Sequence, residues 1–103
     1  MINSKVNWLN HEFTVLKHDA GWNDVSGIYI FAGLNSQNQW VPLYVGQAGS
    51  FKDRLPQHEQ WEPSVKLGAT HVHAKLVPKQ DDRNNLEQIL IKKYQPKLNT
   101  QLK

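Results

Sequence analysis

The chain has 103 residues, a net charge of +3 and no cysteine, and its composition is 39% hydrophobic and 20% charged. This balance is typical of one folded domain and excludes a disordered chain, while the lack of cysteine excludes disulfides and thiolate metal sites. The N-terminal stretch MINSKVNWLNHEF lacks the long apolar run of a signal peptide or membrane span, so we expect a cytoplasmic protein with no membrane partner. A small positive charge permits a nucleic-acid partner without requiring one.

Residues 1–25 carry little chemistry that can be read from the sequence alone. Residues 8–9 and 13–16 are apolar enough to pack on the core, either as a short helix and a strand or as an extended arm. His11 and His18 have no partner at the spacing of a metal site. We expect both imidazoles to be exposed.

Two segments rich in β-branched and aromatic residues, 28–31 and 40–45, flank a loop at 34–39 rich in Asn and Gln. This pattern predicts a β-hairpin. A turn centred in the loop pairs Tyr29 directly with Tyr44, so both phenols are expected on one face of the sheet. The opposite face is expected to carry the aliphatic side chains of Ile28, Ile30, Leu43 and Val45.

A helix is expected after the hairpin, and its start is expected near Asp53 rather than at Ser50. Ser50 with Asp53 three residues later resembles a capping box, but Pro56 would be awkward deep inside a helix that begins at Ser50. A start with Asp53 as the N-cap places Pro56 in the first turn, where its missing N–H costs nothing. Arg54 and His58 then lie on one helical face.

A third strand is predicted after a loop at 62–68. The alternation over residues 69–77 places Val72, Ala74 and Leu76 inward and His71, His73 and Lys75 outward. His71 and His73 have the one-face spacing of a metal site in a strand, but no third ligand follows. A solvated or phosphate-facing pair is therefore favoured.

The last helix, near 82–94, contains a carboxylate inside its apolar arc. The arc is formed by Leu86, Ile89, Leu90, Ile91 and Tyr94. Glu87 lies among them and should be partly desolvated, so it needs a cation or a hydrogen-bond partner. Arg83, four residues earlier, is a rival partner for this carboxylate. Pro96 ends the helix, because a residue before proline avoids the α region.

Together these elements predict an α/β (α+β) domain with a small, mainly antiparallel sheet of three strands flanked by helices. The strands are expected at 27–31, 41–46 and 70–77, and the helices near 53–61 and 82–94. We expect residues 1–103 to form a single domain with its core at 26–99 and an N-terminal arm at 1–25.

Gly27-Ile28-Tyr29 and Tyr44-Val45-Gly46 resemble the paired tripeptides of the GIY-YIG nuclease family, with Val45 in place of the usual Ile. The family pattern continues, in order, with an Arg four residues before a His, a Glu on a later helix, and a Pro-x-Leu-Asn ending. These matches are Arg54, His58, Glu87 and residues 96–99. The resemblance covers residues 26–99, as in a compact stand-alone member of the family.

This resemblance implies a metal-dependent endonuclease that hydrolyses phosphodiester bonds in nucleic acid, with DNA the preferred substrate, and leaves 5′-phosphate and 3′-hydroxyl ends. The matching roles are general base for Tyr29, hydrogen-bonding assistance for Tyr44, proton positioning or relay for His58, and support of the site geometry for Asn99. A phenol with a pKa of about 10 is a poor base at pH 7, so Tyr29 must be acidified by a cation or by Arg54.

Two further roles follow from the residue types. Glu87, as a lone buried carboxylate, suits a single Mg²⁺ or Mn²⁺, which commonly takes one or two protein carboxylates. Arg54 offers a planar fork for two phosphate oxygens, although it could instead pair with Glu59 or Asp53 on the surface. The residues expected to bind substrate are Gly46, Gln47, Lys52, His71 and His73.

One position departs from the family pattern. Many members carry a Lys directly after the second Gly, and this chain has Gln47 there, so Lys52 could supply the charge instead. Gly46 could merely end its strand, or it could let the backbone approach a phosphate. A catalytically inactive domain that binds nucleic acid or docks a partner on the same scaffold remains an alternative, and a targeting protein or a second copy would suit either function.

Overall fold

The structure is a computed structural model that describes residues 4–101, and its five strands form one antiparallel sheet in the order β1-β2-β5-β3-β4. The strands are β1 (Lys5–Trp8), β2 (His11–Leu16), β3 (Gly27–Leu34), β4 (Trp40–Ala48) and β5 (His71–Leu76). The helices are α1 (Phe51–Arg54), α2 (Trp61–Lys66), α3 (Gln80–Tyr94) and α4 (Lys97–Gln101). The predicted fold class is confirmed, but the sheet has five strands rather than three.

The N-terminal segment supplies the two additional strands. β1 and β2 form a hairpin whose two loop residues, Leu9 and Asn10, have φ values of 52° and 67°. Positive φ at both positions is the geometry of a tight type I′ turn, which usually has a sequence such as Asn-Gly. Leu-Asn is a weak signal for this turn. His11 is exposed as expected, whereas His18 is half-buried, with Nε2 2.7 Å from the Leu55 carbonyl oxygen.

The central hairpin of β3 and β4 has a register different from the predicted one. Tyr29 pairs with Gly46, and Tyr44 pairs with Phe31. A bulge follows, in which Leu43 is the extra residue, so its side chain packs on the same face as Tyr29 rather than on the opposite one. The direct pairing of the phenols is wrong, but their shared face is confirmed, with ring centroids 6.3 Å apart.

Both faces of the sheet are covered. The tyrosine face, which carries Tyr29 and Phe31, packs against Phe51 and Leu55 from the segment of α1. The α3 face, on the opposite side, packs aliphatic side chains of the central hairpin against α3. This second core includes Ile28, Ile30, Val45, Leu86 and Leu90.

His73 does not point outward, and that prediction is wrong. Its side chain is fully buried on the α3 face, where Nδ1 accepts a hydrogen bond of 3.0 Å from Trp8 Nε1. The Trp40 ring packs edge-on against it, with centroids 4.5 Å apart. His71 lies half-buried on the same face. Both histidines therefore lie on the opposite face of the sheet from Tyr29. His73 is buried there because Trp8 of the N-terminal hairpin covers a surface that was expected to be exposed.

We expect the buried His73 to make the fold sensitive to mild acid. Burial lowers its pKa from 6.5 to about 4, and His71 adds to the effect. Between pH 4 and pH 6.5 the unfolded chain binds a proton on His73 that the folded chain excludes. The contribution of neutral His73 to the free energy of unfolding is therefore complete above pH 6.5 and is lost as the pH falls towards 4. It amounts to on the order of 3 kcal/mol.

Urea unfolding at pH 7.5 and pH 5 measures this effect. His73→Gln should reduce the difference in unfolding free energy between the two pH values, whereas His11→Gln, at an exposed position, should leave it unchanged. Equal pH dependence in wild type and His73→Gln would contradict the assignment.

The predicted helix at 53–61 is two shorter helices. Ser50 is the N-cap of α1, with its hydroxyl accepting from the Asp53 backbone N–H at 3.3 Å, so the predicted start at Asp53 is wrong and the helix begins earlier. α1 ends at Arg54, before Pro56, and a new helix, α2, occupies most of the predicted loop. Pro63 is accommodated in the first turn of α2, where backbone N–H groups have no helical partner.

α3 begins at Gln80, two residues earlier than predicted, and buries a different arc from the predicted one. Leu86 and Leu90 are buried, but Ile89 is 54% exposed and Arg83 is buried in its place. The helix ends at Tyr94, and its C-cap, Gln95, has a φ of 46° before Pro96. Within residues 4–101 no helix is long and apolar enough to cross a membrane.

Candidate active site

Tyr29 lies at the centre of the tyrosine face and is almost completely buried. Its ring packs among those of Phe31, Phe51 and Tyr44, with centroid distances of 5.3, 6.4 and 6.3 Å. The phenol is therefore fixed in position by aromatic packing, with its hydroxyl directed at the segment that follows α1.

Gly46 is required by the close approach of this phenol. It lies opposite Tyr29 in the β3–β4 pair, and a Cβ atom there would be 2.5 Å from the Tyr29 hydroxyl oxygen. The interpretation that Gly46 ends its strand is wrong, because β4 continues to Ala48.

The Tyr29 hydroxyl oxygen lies 2.6 Å from His58 Nε2. The other ring nitrogen, Nδ1, accepts a hydrogen bond of 3.0 Å from the backbone N–H of Gln60. Burial, followed by the Arg54 charge, lowers the pKa of His58 to about 4, so the ring is neutral near pH 7. A neutral ring that accepts at Nδ1 carries its proton on Nε2, and His58 therefore donates to the phenolic oxygen of Tyr29.

Both phenols are harder to ionise than a free tyrosine. Burial raises the pKa of Tyr29, the Tyr44 hydroxyl adds to this, and the Arg54 guanidinium lowers it. Burial also raises the pKa of Tyr44, again opposed by Arg54. The Glu87 carboxylate raises the pKa of both phenols, so it lies within electrostatic range of them.

Arg54 forms the surface ion pair that the sequence left open as an alternative. Nη1 donates to Glu59 Oε1 at 2.8 Å, and Nη2 donates to the second carboxylate oxygen. These hydrogen bonds raise the pKa of Arg54 and lower that of Glu59 to about 2. Lys52 is exposed on α1, two residues before Arg54.

Glu87 lies on α3, half-buried, and Gln47 is its neighbour rather than Arg83. Gln47 Nε2 donates to Glu87 Oε1 at 2.9 Å. Arg83 is held elsewhere, by the carbonyl oxygens of Val77 and Pro78 at 2.9 and 2.8 Å. The side chain of Gln47, expected to bind substrate, is thus directed at the candidate metal ligand.

The donor set around Glu87 fits a hard divalent cation that keeps most of its water. Among residues 4–101 no three His, Asp or Glu side chains are grouped closely enough to hold a metal ion. A single carboxylate with neutral amides beside it suits Mg²⁺ or Mn²⁺, which binds through one or two carboxylates, and excludes a structural zinc site. Within residues 4–101 the hydrogen bond to this carboxylate is made to Oε1, so Oε2 is the oxygen left for a cation.

Asn99 braces the strand that carries Tyr44 and Gly46. Its side-chain Nδ2 donates to the Val45 carbonyl and its Oδ1 accepts from the Val45 N–H, both at 2.8 Å. β4 is an edge strand of the sheet, and a side-chain amide here replaces the missing neighbouring strand. Asn99 thereby fixes the backbone between two site residues.

Two amide side chains near Glu87 were missed by the sequence analysis. Gln80 and Asn84 both contact Gln47, with Gln80 Nε2 2.7 Å from Gln47 Oε1 and Gln47 Nε2 2.8 Å from Asn84 Oδ1. Their spacing relative to Glu87, at i, i+4 and i+7 on one helical face, was the available signal.

Similarity to known proteins agrees with this geometry. No protein-family model matches the chain. UvrABC system protein C (UvrC) of Thermotoga maritima is 36% identical over 81 residues, which is 75% of this chain but 14% of that protein. The crystal structure of its GIY-YIG N-terminal endonuclease domain with magnesium, the catalytic divalent cation, has a TM-score of 0.59 and 31% identity, covering 74% of this chain and 84% of that one. This chain belongs to the GIY-YIG endonuclease family. The resemblance indicated by the paired tripeptides is therefore confirmed.

A point mutant of the same GIY-YIG domain, also bound to its catalytic divalent cation, matches equally well, with a TM-score of 0.59 and 31% identity over 74% of this chain and 83% of that one. The chain spans only 14% of full-length UvrC, so the similarity is to its endonuclease domain.

Proposed function

We propose that this GIY-YIG domain is a metal-dependent endonuclease that hydrolyses phosphodiester bonds in DNA and leaves 5′-phosphate and 3′-hydroxyl ends. The observation that carries the proposal is the 2.6 Å hydrogen bond from neutral His58 to the phenolic oxygen of Tyr29. This hydrogen bond directs a donor at the phenolic oxygen, the atom that must accept a proton. The charges of Arg54 and Glu87 both act on the same phenol, since Arg54 lowers its pKa and Glu87 raises it. The related UvrC domain, which binds magnesium as its catalytic cation, supports the same reaction class.

Tyr29 acts as the general base in this proposal. The hydrogen bond donated to the phenolic oxygen favours the phenolate, and so does the positive charge of Arg54. Together these two effects oppose the cost of burying the negative charge. The phenolate takes a proton from the attacking water, whose oxygen bonds to phosphorus. The bond from phosphorus to the 3′ oxygen then breaks, and that oxygen keeps the electron pair and takes a proton from solvent. These steps leave the phosphate on the 5′ end.

Glu87 is the proposed ligand of a single Mg²⁺ or Mn²⁺. When bound, the cation supplies positive charge to the scissile phosphate and to the leaving oxygen. Gln47 donates to one oxygen of the carboxylate, and a bound cation would offset the effect by which the Glu87 charge raises the pKa of Tyr29 and Tyr44.

Arg54 is the proposed phosphate contact. Its guanidinium has five N–H donors, of which Glu59 uses two, and its side chain is 40% exposed. Three donors therefore remain for phosphate oxygens while Glu59 keeps the fork oriented. In the same proposal Tyr44 assists by hydrogen bonding, and Asn99 maintains the backbone of β4 beneath the substrate.

The proposed partner is DNA, and targeting is proposed to come from outside this compact site. One site addresses one strand at a time, so a double-strand break needs a second copy of the chain, a partner protein or two successive nicks.

The test is cleavage of single-stranded, duplex, branched and supercoiled DNA with Mg²⁺, with Mn²⁺ or with EDTA. We expect nicked products only with a divalent cation, and DNA ligase should reseal nicks in duplex DNA, because it requires 5′-phosphate and 3′-hydroxyl ends. Parallel RNA substrates test the choice of DNA.

A different result would assign a different function. Binding of DNA that weakens with salt, without any product in Mg²⁺ or Mn²⁺, would support a catalytically inactive binding domain. Products that ligase cannot reseal would contradict the proposed ends.

A further inference from the structure

Three hydrogen bonds connect a buried arginine to the proposed metal ligand. Arg83 Nη2 donates to Gln80 Oε1 at 2.9 Å, and Gln80 Nε2 donates to Gln47 Oε1 at 2.7 Å. Gln47 Nε2 then donates to Glu87 Oε1 at 2.9 Å. Asn84 Oδ1 accepts from both amides, at 2.9 and 2.8 Å, and holds them side by side.

The direction of this chain of hydrogen bonds follows from the groups at its two ends, Arg83 and Glu87. A guanidinium can only donate, so Gln80 must turn its oxygen towards Arg83 and its NH₂ towards Gln47. An ionised carboxylate can only accept, so Gln47 must turn its NH₂ towards Glu87 and its oxygen towards Gln80. Both ends require the same orientation, and each amide is polarised in the same sense, which strengthens the next hydrogen bond.

A lysine at this position could not complete the hydrogen-bond chain. An ammonium group donates to Glu87 but has no acceptor for Gln80. Glutamine does both, and it adds no charge that would compete with a cation for the carboxylate. Gln47 is therefore suited to connect Gln80 with Glu87, which a lysine could not do.

The arginine end of the chain is rigid. Arg83 is only 6% exposed and is held by the carbonyl oxygens of Val77 and Pro78 between β5 and α3. Gln80, in contrast, is exposed at the start of α3. Its removal breaks the chain without opening the core.

We propose that Gln47 is a positioning residue that, supported through Gln80 by the charge of Arg83, fixes Oε1 of Glu87 and presents Oε2 to the divalent cation. This inference rests on the proposed function, in which Glu87 binds that cation. Groups that orient a metal ligand typically change metal affinity by about 10- to 100-fold when removed.

The experiment is titration of the full chain with Mn²⁺, followed by electron paramagnetic resonance of the free ion. Gln47→Met keeps the length of the side chain without its polar atoms, and we expect the Kd to rise about 10- to 100-fold. Gln80→Ala should raise the Kd roughly threefold in the wild-type background and should have no effect when Gln47→Met is already present. Gln88→Met, at an exposed glutamine beside Glu87, is the matched control and should leave the Kd unchanged.

The outcomes distinguish failure of the positioning role of Gln47 from failure of the proposed metal site at Glu87. Mn²⁺ binding that Glu87→Gln abolishes but Gln47→Met leaves unchanged would overturn the positioning role alone. An equal effect of Gln80→Ala in both backgrounds, or none in either, would overturn the connection to Arg83. Wild-type protein without binding that depends on Glu87 would overturn the metal site of the proposed function itself. If Gln47→Met does not fold, as judged by circular dichroism in EDTA, Gln80→Ala in the wild-type background decides. A rise in its Kd for Mn²⁺ that Gln88→Met lacks supports the connection to Arg83, and an unchanged Kd overturns it.

Discussion

Glu87→Gln is expected to lower the rate of Mg²⁺-dependent DNA cleavage by at least about 10³-fold. The amide side chain keeps the shape of the glutamate and can still accept the hydrogen bond from Gln47 Nε2, which is 2.9 Å away in the wild type. What it lacks is the negative charge that holds a hard cation. The initial rate of nicking of supercoiled DNA measures the effect.

A charge-matched control separates loss of the metal ligand from a general change in the charge of the protein. Glu62→Gln removes one negative charge from the exposed surface of α2 and should leave the rate within about twofold of wild type. Circular dichroism and thermal unfolding should show an intact fold for both variants, since Glu87 is only half-buried. A folded Glu87→Gln variant with full activity would contradict the assignment of Glu87 as the metal ligand.

Tyr29→Phe is expected to lower kcat by about 10²- to 10⁴-fold, with a smaller effect on KM. The variant keeps the aromatic ring that packs against Phe31 and Phe51 but removes the oxygen that accepts from His58. Leaving the buried Nε2–H of His58 without a partner should cost about 1–3 kcal/mol of folding stability. Because burial raises the pKa of Tyr29, the wild-type rate should rise with pH through the neutral and alkaline range.

The pH profile distinguishes a base from a packing residue. Tyr29→Phe should remove the rise with pH as well as lower the rate. Tyr94→Phe, which alters a phenol on the α3 face beside Trp8, should change neither. Activity of Tyr29→Phe within a few-fold of wild type, with the pH profile retained, would show that another group takes the proton.

The elements nearest the site could be predicted because their signals are local. The strands of the central hairpin follow from runs of β-branched and aromatic residues, and the loop between them from Asn and Gln. Asn35 shows how that loop closes, since its side-chain oxygen accepts from the backbone N–H groups of Gln37 and Gln39 at 2.8 and 3.0 Å. The register could not be predicted, because the bulge at Leu43 depends on packing against other elements.

The prediction that His73 of β5 points outward was wrong for a related reason. Alternation along a strand shows which residues share a face, but it identifies the buried face only when the other face is solvated. Here both faces are covered, and Trp8 from the N-terminal hairpin covers His73. Nothing near His73 in the sequence indicates a partner 65 residues away.

The sequence alone was enough to recognise the family and the ordered set of polar residues, from Tyr29 through Arg54 and Glu87 to Asn99, because these are short patterns in a set order. The contacts of those residues became clear only from the fold: His58 donates to Tyr29, Glu59 orients Arg54, and Gln47 donates to Glu87. A hydrogen bond forms only when the distance between its donor and acceptor is correct to within a few tenths of an ångström. Where those atoms belong to segments far apart in the chain, packing sets the distances and local sequence does not.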